Sequence, residues 1–270
     1  MPNRRLLLPL FTLALTALAC RFTASDATPV PASVTPTSTS AAAAPASHDW
    51  SALDRTLASF VPRKVNGLTF LLARDGQILY EKALGKQTMD SFLPIASCSK
   101  MPAAATILTV AEDGLLDLDQ PIGTYLQGHM IVPADKTSIT TRMLLNHTSG
   151  LDGRPACLTS RKKETLQGCA QEILNAPLNF APGTRFAYGG GGFQVAGSVA
   201  EVVTGRSWNS LFQEQFAAPL GLTTFTYSGG VLGDAINPRL AHGASSNIYD
   251  YNKILQMILN GGQADHPQAQ

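Results

Sequence analysis

The fold of this chain is decided by residues 93–100, which read LPIASCSK. Ser97 and Lys100 stand three positions apart at the start of a segment that predicts a helix over residues 97–113, with a proline in its first turn and Gly114 as its stop. Residues three apart lie on one face of a helix, so the Lys100 amine can reach the Ser97 hydroxyl. The helix dipole favours an alkoxide there, and a lysine whose ammonium form is disfavoured by burial can relay the serine proton. The spacing therefore suits nucleophilic catalysis.

By itself this Ser-x-x-Lys pair is weak evidence, because it occurs by chance in many proteins and a helix cap followed by a solvated lysine is the better explanation of the bare pair. The surrounding elements give it context. Residues 67–74 and 77–85 are apolar and partly alternating, and Asp75 and Gly76 join them, which predicts a β-hairpin. Further helices are predicted over residues 140–145, 163–175, 193–204, 208–216 and 248–260. In the last of these, the apolar residues keep a helical period and Gly261 ends it. No strand is expected after the last of these helices.

Composition excludes several classes of protein. Charged residues make up 14% of the 270 residues and hydrophobic residues 44%, which argues against a disordered or coiled-coil chain and favours a packed globule. The formal net charge is +1, and processing before Cys20 would remove Arg4 and Arg5, leaving 18 basic against 19 acidic residues. This balance argues against nucleic acid as a partner.

The first 19 residues have the layout of a secretory signal peptide. Arg4 and Arg5 precede the apolar run of residues 6–18, and the small-residue cleavage site ALA ends at Ala19. Cys20 follows at once and resembles the lipidated cysteine of bacterial lipoproteins. We therefore expect export to the periplasm or cell envelope with a lipid anchor on Cys20, and plain secretion is the alternative.

Residues 20–48 are mostly Ala, Thr, Ser and Pro, too poor in large apolar groups to offset the entropy of ordering, and predict a flexible linker. Residues 49–270 then form one domain with enough apolar residues for a core. Export implies an oxidising setting, so Cys157 and Cys169 are candidate disulfide partners closing a short loop, a bond worth about 3 kcal/mol; two reduced cysteines are the alternative. Cys98 is given no catalytic role, because no base spacing singles it out.

Further segments follow the Ser-x-x-Lys pair in a characteristic order. They are EDGLLDLDQP at 112–121, LLNHTSGL at 144–151, PGTRFAY at 182–188 and PLGL at 219–222. In order and spacing, the hairpin and these segments resemble the penicillin-recognising serine hydrolases, which include class C β-lactamases, D-Ala-D-Ala peptidases and related esterases. The resemblance extends from about residue 67 to residue 262. It implies an α/β (α+β) β-lactamase-like fold, with an antiparallel sheet flanked by helices plus a helical region.

The resemblance also implies roles for three side chains. Ser97 is the acylated nucleophile, Lys100 is its activating partner, and Tyr188 is the phenol of the family's Tyr-x-Asn motif. A phenol with a pKa of about 10 is a poor base at neutral pH, but an adjacent ammonium favours phenolate. Gly190 stands where the family has the Asn that binds the lysine and the substrate's acyl amide, and glycine can do neither. This departure favours an ester over a β-lactam or a peptide as the substrate.

Other candidate sites fail on spacing. The glycines at 189–192 do not fit Gly-x-Gly-x-x-Gly, and a permissive loop explains them, so no dinucleotide is expected. His147 and Ser149 lack a Gly-x-Ser-x-Gly elbow, and the family match makes their segment a structural turn. Five histidines without metal spacing and no Cys-x-x-Cys predict no metal and no other cofactor.

A second departure concerns the family's third motif, a Lys or His followed by a small residue and Gly. In the family it lies on a strand downstream of the part matched here by residues 241–262, and the sequence ends before reaching it. The AHGA at 241–244 is a tempting substitute, but its register against 248–262 matches the loop before a helix. We therefore expect an incomplete sheet and the loss of one of two oxyanion-hole N–H donors, which typically costs roughly a hundredfold to a thousandfold in rate.

Two functions remain open at this stage. The first is an exported serine hydrolase that forms an acyl-enzyme on Ser97 and acts on a small ester, ahead of a β-lactam or a D-amino-acid peptide. The second is a non-catalytic lipoprotein of the same ancestry, or a fragment of a longer enzyme. Ser97, Lys100 and Tyr188 favour the first, whereas Gly190 and the early end of the sequence favour the second. The oligomeric state is not indicated.

Overall fold

The computed structural model describes residues 48–159, 164–227 and 236–264. Residue contacts divide the chain between His48 and Asp49, and every element below lies in the unit Asp49–Gln270. The expected signal peptide, Cys20 and nearly all of the expected linker lie outside the described residues.

Helices make up most of the described chain. They are α1 (Ser51–Phe60), α2 (Lys100–Glu112), α3 (Ile122–Leu126), α4 (Thr141–Leu145), α5 (Ala156–Thr159), α6 (Leu166–Asn175), α7 (Gly191–Thr204), α8 (Trp208–Phe212) and α9 (Ile248–Leu259). The predictions for α4, α7 and α9 are correct to within two residues at either end. Helix α6 begins later than predicted, because the Thr165 side chain caps it by accepting a hydrogen bond from Gly168 N. The helix predicted over 208–216 is α8 followed by a π-helical turn, Gln213–Ala217.

The predicted hairpin is confirmed. Strands β1 (Gly67–Arg74) and β2 (Gln77–Gly85) pair antiparallel, with an irregularity between Leu72 and Ala73. Asp75 and Gly76 have φ values of 51° and 76°, the two positive values that a type I′ hairpin turn requires. A second antiparallel pair, β3 (Leu93–Pro94) with β4 (Ser245–Ser246), was not predicted, since two-residue strands carry no periodicity.

The core is built around α7. Its residues 193–200 are all buried, and α2, α3, α4, α6 and α8 pack against it. Gly197 allows the Leu240 side chain to approach closely, because a Cβ at this position would lie 2.1 Å from Leu240 Cδ1. This helix begins directly after Gly190, so the core fixes the position of the segment that carries Tyr188.

Beside this core, Cys157 in α5 and Cys169 in α6 are joined by a disulfide, with the two sulfur atoms 2.05 Å apart. The bond ties the short helix α5 to α6. Among the described helices, none combines the length and the apolar character needed to cross a bilayer.

Candidate active site

Ser97 lies in a 3₁₀ turn, Ala96–Ser99, and the α-helix begins only at Lys100. The helix predicted over 97–113 therefore starts three residues late, and its first predicted turn has the tighter 3₁₀ geometry. Ala96 has a φ of 46°, a left-handed conformation that costs a residue with a Cβ roughly 1–2 kcal/mol. Neighbouring interactions therefore have to hold the 3₁₀ turn around Ser97 in this backbone conformation.

Hydroxyl groups provide that support. The buried Ser99 Oγ donates to Ala96 O at 2.6 Å and accepts from Ala244 N at 3.0 Å. Tyr227 OH donates to Ser99 O at 2.6 Å, and Tyr251 OH donates to Cys98 O at 3.2 Å. Burial is the largest of the causes that raise the pKa of both tyrosines. Each therefore stays protonated and able to donate. Sequence reasoning missed these groups, which come from segments about 130 to 150 residues downstream.

The Lys100 side chain lies between Ser97 and the loop that precedes β4. Its Nζ donates to Ser97 Oγ at 3.4 Å and to the backbone carbonyl of Ala241 at 2.9 Å. The Ala241 carbonyl can only accept, so it holds one N–H of Lys100 in place. In its ammonium form, Lys100 therefore places positive charge beside Ser97.

Tyr188 completes a cluster with these two residues. Lys100 Nζ lies 4.5 Å from the centroid of the Tyr188 ring. Hydrogen bonding from Lys100 lowers the pKa of the Tyr188 phenol, hydrogen bonding from Ser97 lowers it further, and partial burial opposes both. A phenol with a lowered pKa beside a serine hydroxyl can accept the serine proton. The three side chains predicted to carry the chemistry thus lie together.

Gly190 lies where the chain has no room for a larger residue. Its N–H donates to Gly153 O at 2.8 Å, and a Cβ on it would lie 2.9 Å from Leu158 Cδ1 and 3.3 Å from Ala241 Cβ. The sequence indicated the loss of an amide at this position. The structure adds that Leu158 and Ala241 occupy the surrounding space.

The other glycines of residues 189–192 are also required by close contacts. A Cβ on Gly189 would lie 2.3 Å from Gly153 Cα, and one on Gly191 would lie 2.0 Å from Asp152 O. These glycines therefore pack tightly against the backbone of residues 152–153. The prediction that they form a merely permissive loop was wrong.

A cavity of about 240 Å³ opens onto Ser97, Lys100 and Tyr188, and Ala241 and His242 line its other side. Residues 241–244 lie in a loop, as their register predicted, with β4 and then α9 following them. Burial lowers the pKa of His242, and the positive charges of Arg239 and Lys100 lower it further, so this half-buried imidazole favours the neutral form. In the sequence, these cavity residues belong to the AHGA segment at 241–244. At the level of sequence, that segment was considered only as a substitute for the family's third motif.

One cluster of potential metal ligands lies within the described ranges. Cys157, Glu164 and Glu172 offer ligand atoms within 4.8 Å of one another. The Cys157 sulfur is bonded to Cys169 and offers no thiolate, so the cluster retains only two carboxylates as ligands.

The fold has a β-lactamase-like architecture, which is typical of a family of serine hydrolases. The Beta-lactamase family model matches residues 53–270, and the chain belongs to this family. The resemblance noted from the sequence is thereby confirmed, as is the expected fold class.

Two curated relatives illustrate the range of the family. The chain is 28% identical over 200 residues to a putative D-alanyl-D-alanine carboxypeptidase of Escherichia coli O157:H7, a match that covers 63% of this chain and 45% of the relative. It is 31% identical over 194 residues to the lovastatin esterase of Penicillium rubens, covering 59% and 48%. The chain thus spans less than half the length of either relative.

A solved structure shows the same fold over a larger share of the chain. The crystal structure of a putative β-lactamase from Bacteroides dorei is similar with a TM-score of 0.72 and 32% sequence identity. The match covers 82% of this chain and 67% of that one.

Proposed function

We propose that this protein is a serine hydrolase that cleaves small esters through an acyl-enzyme on Ser97. The observation that carries the proposal is the arrangement of Lys100 between Ser97 Oγ and the Tyr188 ring, with the pKa of the phenol lowered mainly by Lys100. A nucleophile, a base and a fixed positive charge in one cavity are the parts that acyl transfer needs.

The steps balance without any cofactor. The Tyr188 phenolate accepts the Ser97 proton as Oγ bonds to the ester carbonyl carbon, and the N–H of Ser97, at the start of a helical turn where such groups lack an intrahelical partner, can donate to the developing oxyanion. The C–O bond to the alcohol then breaks, and Tyr188 returns the proton to the leaving oxygen. Water adds to the acyl-enzyme in the same way, giving the acid and free Ser97.

Two features favour an ester over a β-lactam or a D-amino-acid peptide. Gly190 presents no amide to a substrate's acyl-amide group, and Leu158 and Ala241 fill the adjacent space. One relative is named an esterase and another a carboxypeptidase, so the family offers both chemistries. The residues around position 190 support the ester.

The proposal includes export. The signal-like residues 1–19, Cys20 as a lipid attachment site and the linker over 20–48 together suggest a hydrolase tethered in the periplasm or cell envelope. The Cys157–Cys169 disulfide is consistent with an oxidising compartment. Peptide mapping of exported material, with and without reductant, tests this part: free thiols at both cysteines, or a leader still attached, would contradict it.

Intact-protein mass spectrometry tests the activity. The full chain is incubated separately with an activated acetate ester, a phosphonate and a penicillin, and we expect adducts from the first two. Ser97→Ala should abolish both adducts. Ser59→Ala, at an exposed hydroxyl in α1, is the matched control and should label like the wild type. Labelling that survives Ser97→Ala, or a folded wild type that none of the three probes labels, would overturn the proposal.

A further inference from the structure

His147 holds the backbone on both sides of Tyr188. Its carbonyl accepts a hydrogen bond from Ala187 N at 2.9 Å, and its Nδ1 accepts one from Gly189 N at 3.4 Å. The residues before and after Tyr188 are therefore both bonded to one histidine. The sequence interpretation gave His147 only the role of a structural turn.

The His147 ring also contacts the Tyr188 side chain itself. The two ring centroids lie 4.7 Å apart, and Phe186 and Phe193 flank the imidazole at 5.7 Å and 5.5 Å. Tyr188 is 59% exposed, so few other contacts restrain its phenol. The Lys100 ammonium and the His147 ring are the neighbours that can fix its orientation.

His147 adopts an unusual backbone conformation to make these contacts. Its φ is 65°, in the left-handed region that is uncommon for any residue other than glycine, although Asn, Asp and His enter it more often than the rest. Such strain persists only where the surrounding structure compensates for it. Here the compensating contacts are those to residues 186–189, the segment that carries the phenol.

We infer that His147 is a positioning residue, which aims the Tyr188 phenol at Ser97 and Lys100 through one side-chain hydrogen bond and one ring contact. The inference rests on the proposed function for its effect on rate. Its effect on the Tyr188 phenol does not depend on turnover.

The role requires a neutral imidazole, since Nδ1 can accept from Gly189 only when it carries no proton. Burial lowers the pKa of His147, and the positive charge of Lys100 lowers it further. Lys100 of α2, whose charge acts on His147, and Tyr188 of the loop before α7, whose ring contacts it, are titratable groups that face the imidazole. Arg142 of the preceding helix α4 pairs with Asp119. Protonation at acid pH would therefore break the bond to Gly189 and add a second positive charge beside Lys100.

Two substitutions distinguish the effect of the His147 side chain from the effect of its strained backbone conformation. His147→Gly removes the side chain while glycine tolerates a φ of 65° without cost. His147→Asn restores an acceptor oxygen near the Nδ1 position and also tolerates this φ, but it does not titrate. His129→Asn, at an exposed histidine, is the control for loss of a titrating group.

We expect His147→Gly to slow acylation of Ser97 by about tenfold to a hundredfold with little change in KM, because misplacing a catalytic group by about 1 Å costs this much. His147→Asn should recover most of the rate. Below the pH range in which the Tyr188 phenol controls the rate, the wild type and His129→Asn should show an additional, steeper loss of activity as His147 protonates, and His147→Asn should lack this additional step. A rate and a pH profile unchanged in His147→Gly would overturn the inference.

The second readout is the titration of Tyr188, followed by NMR of ¹³C-labelled tyrosine and assigned with Tyr188→Phe. In His147→Gly the lowered phenol pKa should move back towards its ordinary value, and in His147→Asn it should stay low. If wild-type Ser97 is never acylated, the proposed function fails and this titration alone decides the inference. An unchanged phenol titration in His147→Gly means that His147 does not position Tyr188, even if the rate falls.

Discussion

Lys100 Nζ lies closer to the backbone carbonyl of Ala241, at 2.9 Å, than to Ser97 Oγ, at 3.4 Å. A lysine bound in this way keeps its protons directed at two oxygen atoms. An ammonium in this position stabilises negative charge on Ser97 Oγ. Under the proposed function, Tyr188 then transfers the serine proton and Lys100 is its electrostatic partner.

Replacing Lys100 with alanine should abolish acylation while the protein stays folded. We expect the acylation rate to fall by about a hundredfold or more, because general acid–base assistance is typically worth that much and the phenol loses its activating charge. The cost in free energy of unfolding should be about 1.5–3 kcal/mol, the usual value of a hydrogen bond to a charged group, here the bond to Ala241 O. Intact-mass labelling and thermal unfolding measure the two effects. Lys86→Ala, at an exposed lysine, should change neither, and wild-type acylation in Lys100→Ala would contradict the assignment.

The pH dependence of acylation should report the Tyr188 phenol. The reactive form is the phenolate, so the rate rises with pH until the phenol has ionised. Because hydrogen bonding from Lys100 is the largest cause of the lowered pKa, any residual activity of Lys100→Ala should rise only at higher pH than in the wild type. Tyr188→Phe should lose this rising limb altogether. If the acylation rate rises over the same pH range in the wild type and in Lys100→Ala, a group other than Tyr188 controls it.

The elements that the sequence predicted well are those with a complete local signal. The hairpin had alternating strands and an Asp-Gly turn, and α9 had both a helical period and a glycine stop. Helix α1 was within reach of the same reasoning, since Leu53, Leu57 and Phe60 keep the spacing of one helical face. Short helices carry little periodicity: α3 and α5, with five and four residues, were missed, whereas α4 and α8, also with five residues, were predicted.

The same distinction, between features with a local signal and features without one, applies to the candidate site. Ser97, Lys100 and Tyr188 could be predicted because short motifs and family spacing mark them. The support around them could not, because Ser99 is bound by Tyr227 and Ala244 from distant segments, and no local pattern encodes such contacts. The role of Ala241 as an acceptor is likewise a backbone property, which its side chain does not reveal.

Introducing the family's asparagine at position 190 should harm this site. Gly190→Asn places a Cβ 2.9 Å from Leu158 Cδ1, and overpacking a filled space typically costs about 1–3 kcal/mol. We expect lower stability and slower ester acylation, with no gain in penicillin labelling. Gly190→Asn with Leu158→Val removes the crowding methyl group and should recover part of the stability and raise penicillin labelling relative to ester labelling. Unfolding curves and intact mass for the two single variants and the double variant test this, and a stable Gly190→Asn protein with full ester activity would contradict it.

The glycine contact at the start of α7 gives the sharpest stability test, because a matched glycine lies elsewhere. A Cβ on Gly191 would lie 2.0 Å from Asp152 O, a backbone atom that cannot move aside as a side chain can. Gly191→Ala should therefore lower the free energy of unfolding by about 1–3 kcal/mol or more. It should also displace the segment that carries Tyr188. Gly123 lies inside α3, and a Cβ on it would meet no atom within 4 Å, so Gly123→Ala should raise stability by roughly 0.5–1 kcal/mol. Chemical denaturation of both variants measures the difference, and equal stabilities would show that the contact between residues 152–153 and 189–192 is looser than described.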